Sequence, residues 1–263
     1  KNFVRKGEGV NMKDRCISEP NLPKQKVTLA AVSEQLPNIC AELTRLGVSC
    51  LTVTAFSCLA EPVCSHADML CHPTGGEKVL IARGNKHLFL ELKKAGFYPE
   101  ETQKNLMKEY PGDILLNAAQ IGSYCFASRY CDEKLQESFR HRKIFFVPVR
   151  QGYAKCSTVI VSKKAILTAD PSIAAAAKQC GFDVLRVQAG FVELPGYPYG
   201  FLGGACGKLS ADTLAFTGDL STHPDHEAIV SFLRNYRVYP VCLQQGPLQD
   251  IGGILPLREE EKA

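Results

Sequence analysis

Cys156 is the residue of this sequence best placed for nucleophilic chemistry. It lies in the stretch QGYAKCSTVIV (151–161), where a polar segment runs into a strongly apolar strand. A thiolate is a good nucleophile, and the start of a strand would present it to a cleft. A second stretch of this shape, HADMLCHP (66–73), begins with His66 and Asp68. These two residues could supply an acid-base group and a carboxylate that binds a cation.

Five stretches of this shape recur along the chain at a regular interval. Each has one or two polar or small residues before a short apolar run. Counting between equivalent positions gives steps of 45, 43, 48 and 46 residues. The positions are Asp68, Asp113, Cys156, Gly204 and Asp250. A period of this size predicts an architecture of repeated small structural units.

The segments between these stretches predict the rest of each unit. Short apolar runs such as KVLIAR (78–83) alternate with amphipathic helical patterns, and Asp170 and Pro171 have the residue types of a helix cap and first turn. The predicted order is strand, strand, helix, strand. The last stretch, DIGGILPL (250–257), supplies only a first strand. Residues 26–55 supply the missing strand, helix and strand.

This pattern predicts an α/β propeller with five pseudo-symmetric ββαβ blades, whose fifth blade is closed by the N- and C-terminal segments. We expect residues 26–263 to form this single domain. Residues 1–25 have few apolar positions, and we expect them to form an N-terminal arm. The alternative is an ordinary α/β or α+β fold whose strands happen to have this spacing.

In such a propeller the first strand of every blade is innermost, so five strand starts meet at one end of the axis. Acidic and polar side chains would share a pocket there, and their burial is costly without a cationic ligand. The sequence therefore predicts a small cationic substrate. The candidate site residues are Cys156, His66, Asp68, Asp113, Asp250, Asn117 and Cys206.

The five-unit pattern and two short motifs resemble the pentein fold of the guanidino-group-modifying enzymes. That superfamily includes arginine deiminase, agmatine deiminase, dimethylarginine dimethylaminohydrolase and the amidinotransferases. HAD (66–68) is similar to its H-x-D motif, and GYAKCST (152–158) resembles the G-x-x-x-C segment of its nucleophile. Cys156 follows His66 by 90 residues, or two periods, as in the compact members. The sequence is also similar to an uncharacterised bacterial group assigned to this fold.

Two features depart from the superfamily pattern. The superfamily cysteine lies close to the C-terminus, whereas a unit and a half follows Cys156, so this chain would be a circularly shifted relative. The acidic segment of the superfamily has no clean match, and QDIGGI around Asp250 is the nearest. A weaker match is GDIL around Asp113.

The resemblance implies a cysteine-dependent hydrolase or transferase that acts on an arginine-like guanidino or amidino compound, with no cofactor and no metal. Asp68, Asp113 and Asp250 would hold the planar cation. Cys156 would attack its central carbon, and His66 would protonate the leaving amine and then activate water. The interpretation from a different class is a catalytically silent protein of this fold, which binds a small ligand or a macromolecular partner.

Composition limits the other classes. The chain is 45% apolar and 22% charged, and its net charge of +4 is spread without a long basic block, so we expect no nucleic-acid or membrane partner. The twelve cysteines stand in apolar contexts, which is typical of free thiols in a reducing cytoplasmic compartment. Most would be small core residues, and Cys206 competes with Cys156 as the nucleophile. The oligomeric state stays open.

Other segments of the sequence also contain candidate binding residues. The cluster Cys64, His66, Cys71 and His72 could in principle ligate zinc, although adjacent residues of a strand point to opposite faces. The segment GGACGK (203–208) lacks the spacing of a phosphate-binding loop. The loop PGYPYG (195–200) precedes an inner strand and fits either a lid over the pocket or a rigid turn.

Overall fold

The computed structural model describes residues 14–262 as a succession of short strands and helices. The strands are β1 (Asp14–Cys16), β2 (Val27–Ser33), β3 (Ser49–Val53), β4 (Cys71–Gly75), β5 (Lys78–Ile81), β6 (Tyr98–Glu101), β7 (Ala119–Ile121), β8 (Tyr124–Ala127), β9 (Phe145–Pro148), β10 (Val159–Ser162), β11 (Ala165–Thr168), β12 (Asp183–Arg186), β13 (Val192–Glu193), β14 (Cys206–Lys208), β15 (Thr213–Phe216), β16 (Tyr239–Cys242), β17 (Leu248–Gln249) and β18 (Leu255–Glu260). The α-helices are α1 (Pro37–Arg45), α2 (Ala67–Leu70), α3 (Lys86–Lys94), α4 (Glu133–His141), α5 (Pro171–Gln179) and α6 (His226–Asn235).

Four three-stranded sheets of the described chain share one topology. Their strand orders are β4-β5-β6, β7-β8-β9, β10-β11-β12 and β14-β15-β16. In each sheet the first strand is antiparallel to the second and the second is parallel to the third. A helix of nine or ten residues connects the second strand to the third. The predicted order of strand, strand, helix, strand is therefore present in all four.

A fifth sheet is built from both ends of the described chain. Its order is β1-β18-β2-β3, with β18 antiparallel to β2 and β2 parallel to β3. Leu255 pairs with Ala31, and Ala31 pairs with Leu51 on its other side. The predicted joining of the last stretch to residues 26–55 is thus observed as strand pairing. A separate parallel pair, β13 with β17, lies outside the repeated topology.

The N-terminal arm predicted for residues 1–25 lies partly outside the described residues, which begin at Asp14. From there the chain joins the fold, since β1 pairs antiparallel with β18 and Ile17 and Leu22 are buried. The buried carboxylate of Glu259 accepts hydrogen bonds from the backbone N–H groups of Lys24 and Gln25. These contacts attach residues 14–25 to the fifth sheet.

Local sequence explains the connecting helices. Asn85, Asp132 and Asp170 each accept a backbone N–H of the first turn of the helix that follows, as N-cap residues do. Pro171 occupies the first turn of α5, where no intrahelical hydrogen bond is lost. Gly96 follows the C-terminal end of α3 and has a φ of +81°, a left-handed conformation that favours glycine.

The core lies against the second strand of each sheet. All residues of β8 except its first are buried, and all of β11 are buried. Phe126, Phe139 and Phe216 are fully buried in this layer. Each such side chain contributes about 1.5–3 kcal/mol relative to an exposed one. The buried apolar residues form four clusters, each shared by neighbouring sheets and helices.

Apart from Cys206, which begins β14, the predicted site residues lie in turns, in loops or in the short helix α2 and not at strand starts, which corrects the sequence prediction. His66 and Asp68 lie before and within the single turn of α2, and Cys156 lies in the turn that precedes β10. Local hydrogen bonds hold these turns, for example from Thr158 N–H to Lys155 C=O at 3.1 Å. A tight turn packs several polar side chains close to one point, where an extended strand would alternate them between two faces.

Candidate active site

Cys156 is held by a turn whose backbone is bonded internally. The N–H of Ser157 donates to the C=O of Tyr153 at 2.9 Å, and Cys156 itself is 3% exposed. The side-chain amide of Asn117 fixes the turn from the neighbouring unit. Its Oδ1 accepts the N–H groups of Lys155 at 2.7 Å and of Cys156 at 3.3 Å. Asn117 therefore positions the backbone that carries the thiol.

Polar groups surround the sulfur of Cys156. Its Sγ donates to Oδ2 of Asp68 at 2.9 Å, and Nδ2 of Asn117 donates to Sγ at 3.1 Å. A buried cysteine that only fills the core has apolar neighbours, whereas this thiol has a carboxylate and an amide. The sequence separation of 88 residues between Asp68 and Cys156 is closed by the fold.

Burial makes both the thiol and the carboxylate hard to ionise. The pKa of Cys156 is raised well above its usual value, first by burial and then by the negative charges of Asp68 and Asp250. Burial also raises the pKa of Asp68 to about 7, although the charge of Lys155 opposes this. At neutral pH the pair therefore consists of a protonated thiol and a carboxyl group near its titration midpoint.

His66 is 1% exposed and lies immediately before α2. Within residues 14–262 neither ring nitrogen has a hydrogen-bond partner. Nδ1 lies 3.8 Å from Oδ1 of Asp250. Burial lowers the pKa of His66 while Asp250 raises it, with burial the larger effect. The imidazole is therefore neutral at neutral pH and has both nitrogens free to exchange a proton with a ligand.

The carboxylate of Asp250 is fixed by backbone donors. Oδ2 accepts the N–H of Phe201 at 2.8 Å, and Oδ1 accepts the N–H of Gly252 at 3.0 Å. The carboxylate packs against Gly204, where any Cβ would overlap Oδ1. A glycine is thus required at residue 204 for Asp250 to reach His66.

A cavity of about 230 Å³ brings the reactive groups together. Cys156, His66 and Asp250 line it with apolar and aromatic side chains from several units. Tyr197, Pro198 and Tyr199 of the loop PGYPYG form part of its wall. The cavity thus places a thiol, a neutral imidazole and a carboxylate around one space large enough for a small ligand.

Four of the predicted site residues lie around this cavity without lining it. Asp68 and Asn117 lie behind the sulfur, which they contact. Asp113 accepts the hydroxyl of Tyr153 at 2.6 Å, and burial raises its pKa. It therefore supports a wall residue and does not face the space. Cys206 is buried, with Sγ 3.8 Å from the C=O of Gly203, and burial raises its pKa to about 12.

Sequence reasoning missed several residues of the site. Lys155 is buried beside Cys156, and its Nζ donates to the C=O of Gly203 at 3.2 Å. Its charge partly offsets the burial of Asp68. Tyr153 and Phe201 stack at 6.0 Å between ring centroids on the cavity wall. Tyr153 and Lys155 lie within three residues of Cys156, so their closeness in sequence was the signal that could have identified them.

The alternative zinc cluster is dispersed by the fold. Nε2 of His72 lies 3.3 Å from Oε1 of Gln120, away from the cavity that His66 lines. In the part of the chain from Asp14 to Lys262, no group of three or more His, Cys, Asp or Glu side chains is arranged to hold a metal ion. Within the same part, no helix is both long and apolar enough to cross a membrane.

Comparisons with known proteins agree with this architecture. Residues 31–255 match the model of a family of unknown function, DUF6873. An inosamine-phosphate amidinotransferase from Streptomyces griseus superimposes with a TM-score of 0.58 at 12% identity, over 95% of this chain and 98% of that one. An amidinotransferase of saxitoxin biosynthesis from Microseira wollei gives 0.52 at 12% identity, over 86% and 91%.

A dimethylarginine dimethylaminohydrolase, solved as its adduct with S-methyl-L-thiocitrulline, also superimposes with a TM-score of 0.52 at 10% identity. The superposition covers 82% of this chain and 93% of that one. These are pentein-fold proteins, so the chain has the pentein fold. No curated protein sequence matches it.

Proposed function

The chain is a member of the family DUF6873 with a pentein fold, and on that premise we propose that it is a cysteine-dependent hydrolase or transferase of a guanidino or amidino compound. One observation carries the proposal: Cys156 bonds to the carboxylate of Asp68 and shares a cavity with His66 and Asp250. The pentein-fold neighbours named above include enzymes that transfer amidino groups.

The five sheets would surround a common axis as blades of a propeller that forms a single domain. The support is that first strands of successive units adjoin: β10 contacts β14, and β14 contacts β18. The pairing of β18 with β2 would close this ring. The turns that carry the site residues would then meet at one end of the axis.

The negative charge of the site would attract a cationic substrate. The Asp250 carboxylate lines the cavity, and Oδ1 of Asp68 has no hydrogen-bond partner among residues 14–262. A planar cation in the cavity would donate charge-assisted hydrogen bonds to Asp250, while Asp68 acts on it from behind the sulfur through its charge. It would also lower the thiol pKa of Cys156, because its positive charge offsets the two carboxylates that now raise it.

The covalent step follows from this change. The thiol proton of Cys156 would pass to the neutral imidazole of His66, whose new positive charge lies beside Asp250. The thiolate would then form an S–C bond to the central carbon of the substrate. As the C–N bond breaks, its electron pair stays on the nitrogen, which takes the proton from His66. The products of this step are an amine and a covalent thiouronium.

Resolution of the intermediate would distinguish the reaction types. In a hydrolase, His66 removes a proton from water as the oxygen attacks the same carbon, and the C–S bond breaks to regenerate Cys156. In a transferase, an acceptor amine replaces the water. Either route returns the thiol, so the protein needs no oxidant or reductant.

The compartment would be the cytoplasm. All twelve cysteines are free in the structure, and several are buried. Buried free thiols persist where the surroundings are reducing.

Cysteine labelling tests the function. Chloroacetamidine carries a cation and chloroacetamide is its neutral isostere, and both alkylate thiolates. We expect chloroacetamidine to label Cys156 at least about tenfold faster than chloroacetamide does, since only the cation lowers the thiol pKa. The exposed Cys242 provides the internal reference. Mass spectrometry reads the rate at each of the twelve cysteines.

Two variants sharpen this experiment. His66→Ala should slow labelling of Cys156 by chloroacetamidine, whereas His87→Ala, which removes an exposed histidine, should leave it unchanged. If Cys156 shows no preference for the cationic reagent, it is not an activated nucleophile. The chain would then be a catalytically silent binding protein, in which burial raises the pKa of Cys156 and keeps its thiol protonated.

A further inference from the structure

The wall of the cavity that holds Cys156 is apolar and aromatic beyond its three reactive groups. Among residues 14–262, those lining it include no lysine and no arginine, and Asp250 is its one carboxylate. The apolar and aromatic lining residues are Val63, Met69, Tyr153, Leu194, Tyr197, Pro198, Tyr199 and Phe201. The substrate beyond its cationic head therefore meets surfaces without a formal charge.

This wall is poorly suited to an amino-acid carboxylate. Three backbone N–H groups of the loop that could have bound one are already used: Tyr197 donates to Leu194, Gly200 to Val192, and Phe201 to Asp250. The buried Nζ of Lys155 donates to Gly203, and Lys155 does not line this cavity. A carboxylate entering the cavity would lose water without gaining a cation or a donor among these groups.

The same wall suits an apolar substituent. Tyr197 and Tyr199 line the cavity and are 44% and 43% exposed, so both rings are accessible to a ligand. Tyr199 meets Phe201 edge to face, and Phe201 stacks on Tyr153. The cavity volume of about 230 Å³ corresponds to roughly eight water molecules at about 30 Å³ each. A guanidinium group alone would fill only part of it.

We infer that this site selects a guanidine or amidine whose substituent is uncharged and apolar, such as an arylalkyl group, over an amino acid such as arginine. The inference rests on the proposed function, since the cationic head must bind at Asp250 and Cys156. It replaces the arginine-like substrate expected from the resemblance. A second ammonium group, as in agmatine, is also disfavoured because Asp250 is the only carboxylate that the described residues contribute to the wall.

Binding to Cys156→Ser protein tests the inference, because this variant holds a ligand without turnover. Isothermal titration calorimetry would compare benzylguanidine, arginine, agmatine and guanidinium chloride. We expect benzylguanidine to bind at least about tenfold more tightly than each of the others, as burial of a phenyl group favours binding. Tyr199→Ala should weaken benzylguanidine about tenfold and leave guanidinium unchanged. Tyr130→Ala, an exposed tyrosine outside the cavity, should change neither.

The outcomes separate the inference from the function it rests on. If arginine or agmatine binds as tightly as benzylguanidine while Cys156 is selectively labelled by chloroacetamidine, the substrate class is wrong and the enzyme proposal stands. If none of the four cations binds and labelling is unselective, both fail. Equal loss of benzylguanidine affinity in Tyr199→Ala and Tyr130→Ala would overturn the assignment of the aromatic wall.

Discussion

Replacing Asp68 with Asn should stabilise the folded protein at pH 8 while removing a carboxylate of the candidate site. Asp68 is 2% exposed, and burial raises its pKa from 3.8 to about 7. In the folded state this carboxyl group keeps its proton at pH values where the unfolded chain has lost it. The free energy of unfolding therefore falls as the pH rises from about 4 to about 7.

The pKa difference sets the magnitude. A displacement from 3.8 to about 7 corresponds to roughly 4 kcal/mol of lost stability above pH 7. Asn resembles the protonated carboxyl, and its Oδ1 can still accept the thiol hydrogen bond of Cys156, but a neutral acceptor holds the thiol less strongly than a carboxylate, which costs about 1 kcal/mol. We expect a net gain of about 3 kcal/mol at pH 8 and little gain at pH 5.

Urea unfolding at pH 5, 6, 7 and 8 would measure this difference between wild type and Asp68→Asn. Glu227→Gln removes an exposed carboxylate and is the matched control, for which we expect no trend with pH. The reasoning fails if Asp68→Asn destabilises the protein equally at every pH. That result would mean that Asp68 is ionised and well paired throughout, and that burial does not dominate its pKa.

Two further substitutions test how the site and the fifth sheet are held. Gly204→Ala should cost about 1–3 kcal/mol of unfolding free energy and abolish selective labelling of Cys156, because the added Cβ overlaps the Asp250 carboxylate. If Cys156 is labelled in this variant as fast as in wild type, the position of Asp250 is not needed for its reactivity. Glu259→Ala should cost about 1–3 kcal/mol by leaving the backbone N–H groups of Lys24 and Gln25 without their buried acceptor. Differential scanning calorimetry measures both, and an unchanged transition temperature in Glu259→Ala would show that residues 14–25 do not hold the sheet.

The repeated unit could be predicted from the sequence because its signals are local. Strand and helix patterns, the caps at Asp132 and Asp170, and the stops at glycines depend on residues a few positions apart. The 90-residue spacing of His66 and Cys156 follows from counting two periods. The joining of β18 to β2 was predictable for the same reason, since the incomplete last unit lacks what residues 26–55 provide.

The site could be predicted only as a set of residue types. Equivalence by period predicted that Asp113 lies beside Cys156, but β7 begins six residues after Asp113, and Asn117 takes the position that contacts Cys156. An extended strand and a tight turn share the same polar and small residues, so the local pattern did not distinguish them. Asp113 consequently bonds to Tyr153 and lies one layer outside the cavity.

Sequence alone determined the unit, its period and the thiol and histidine that the fold brings to one cavity. Tertiary structure alone decided the protonation and surroundings of these groups. The raised pKa of Asp68 depends on burial by several units, and the aromatic wall depends on the loop that carries Tyr197 and Tyr199. Burial and long-range electrostatics are sums over residues far apart in sequence, so no local pattern records them.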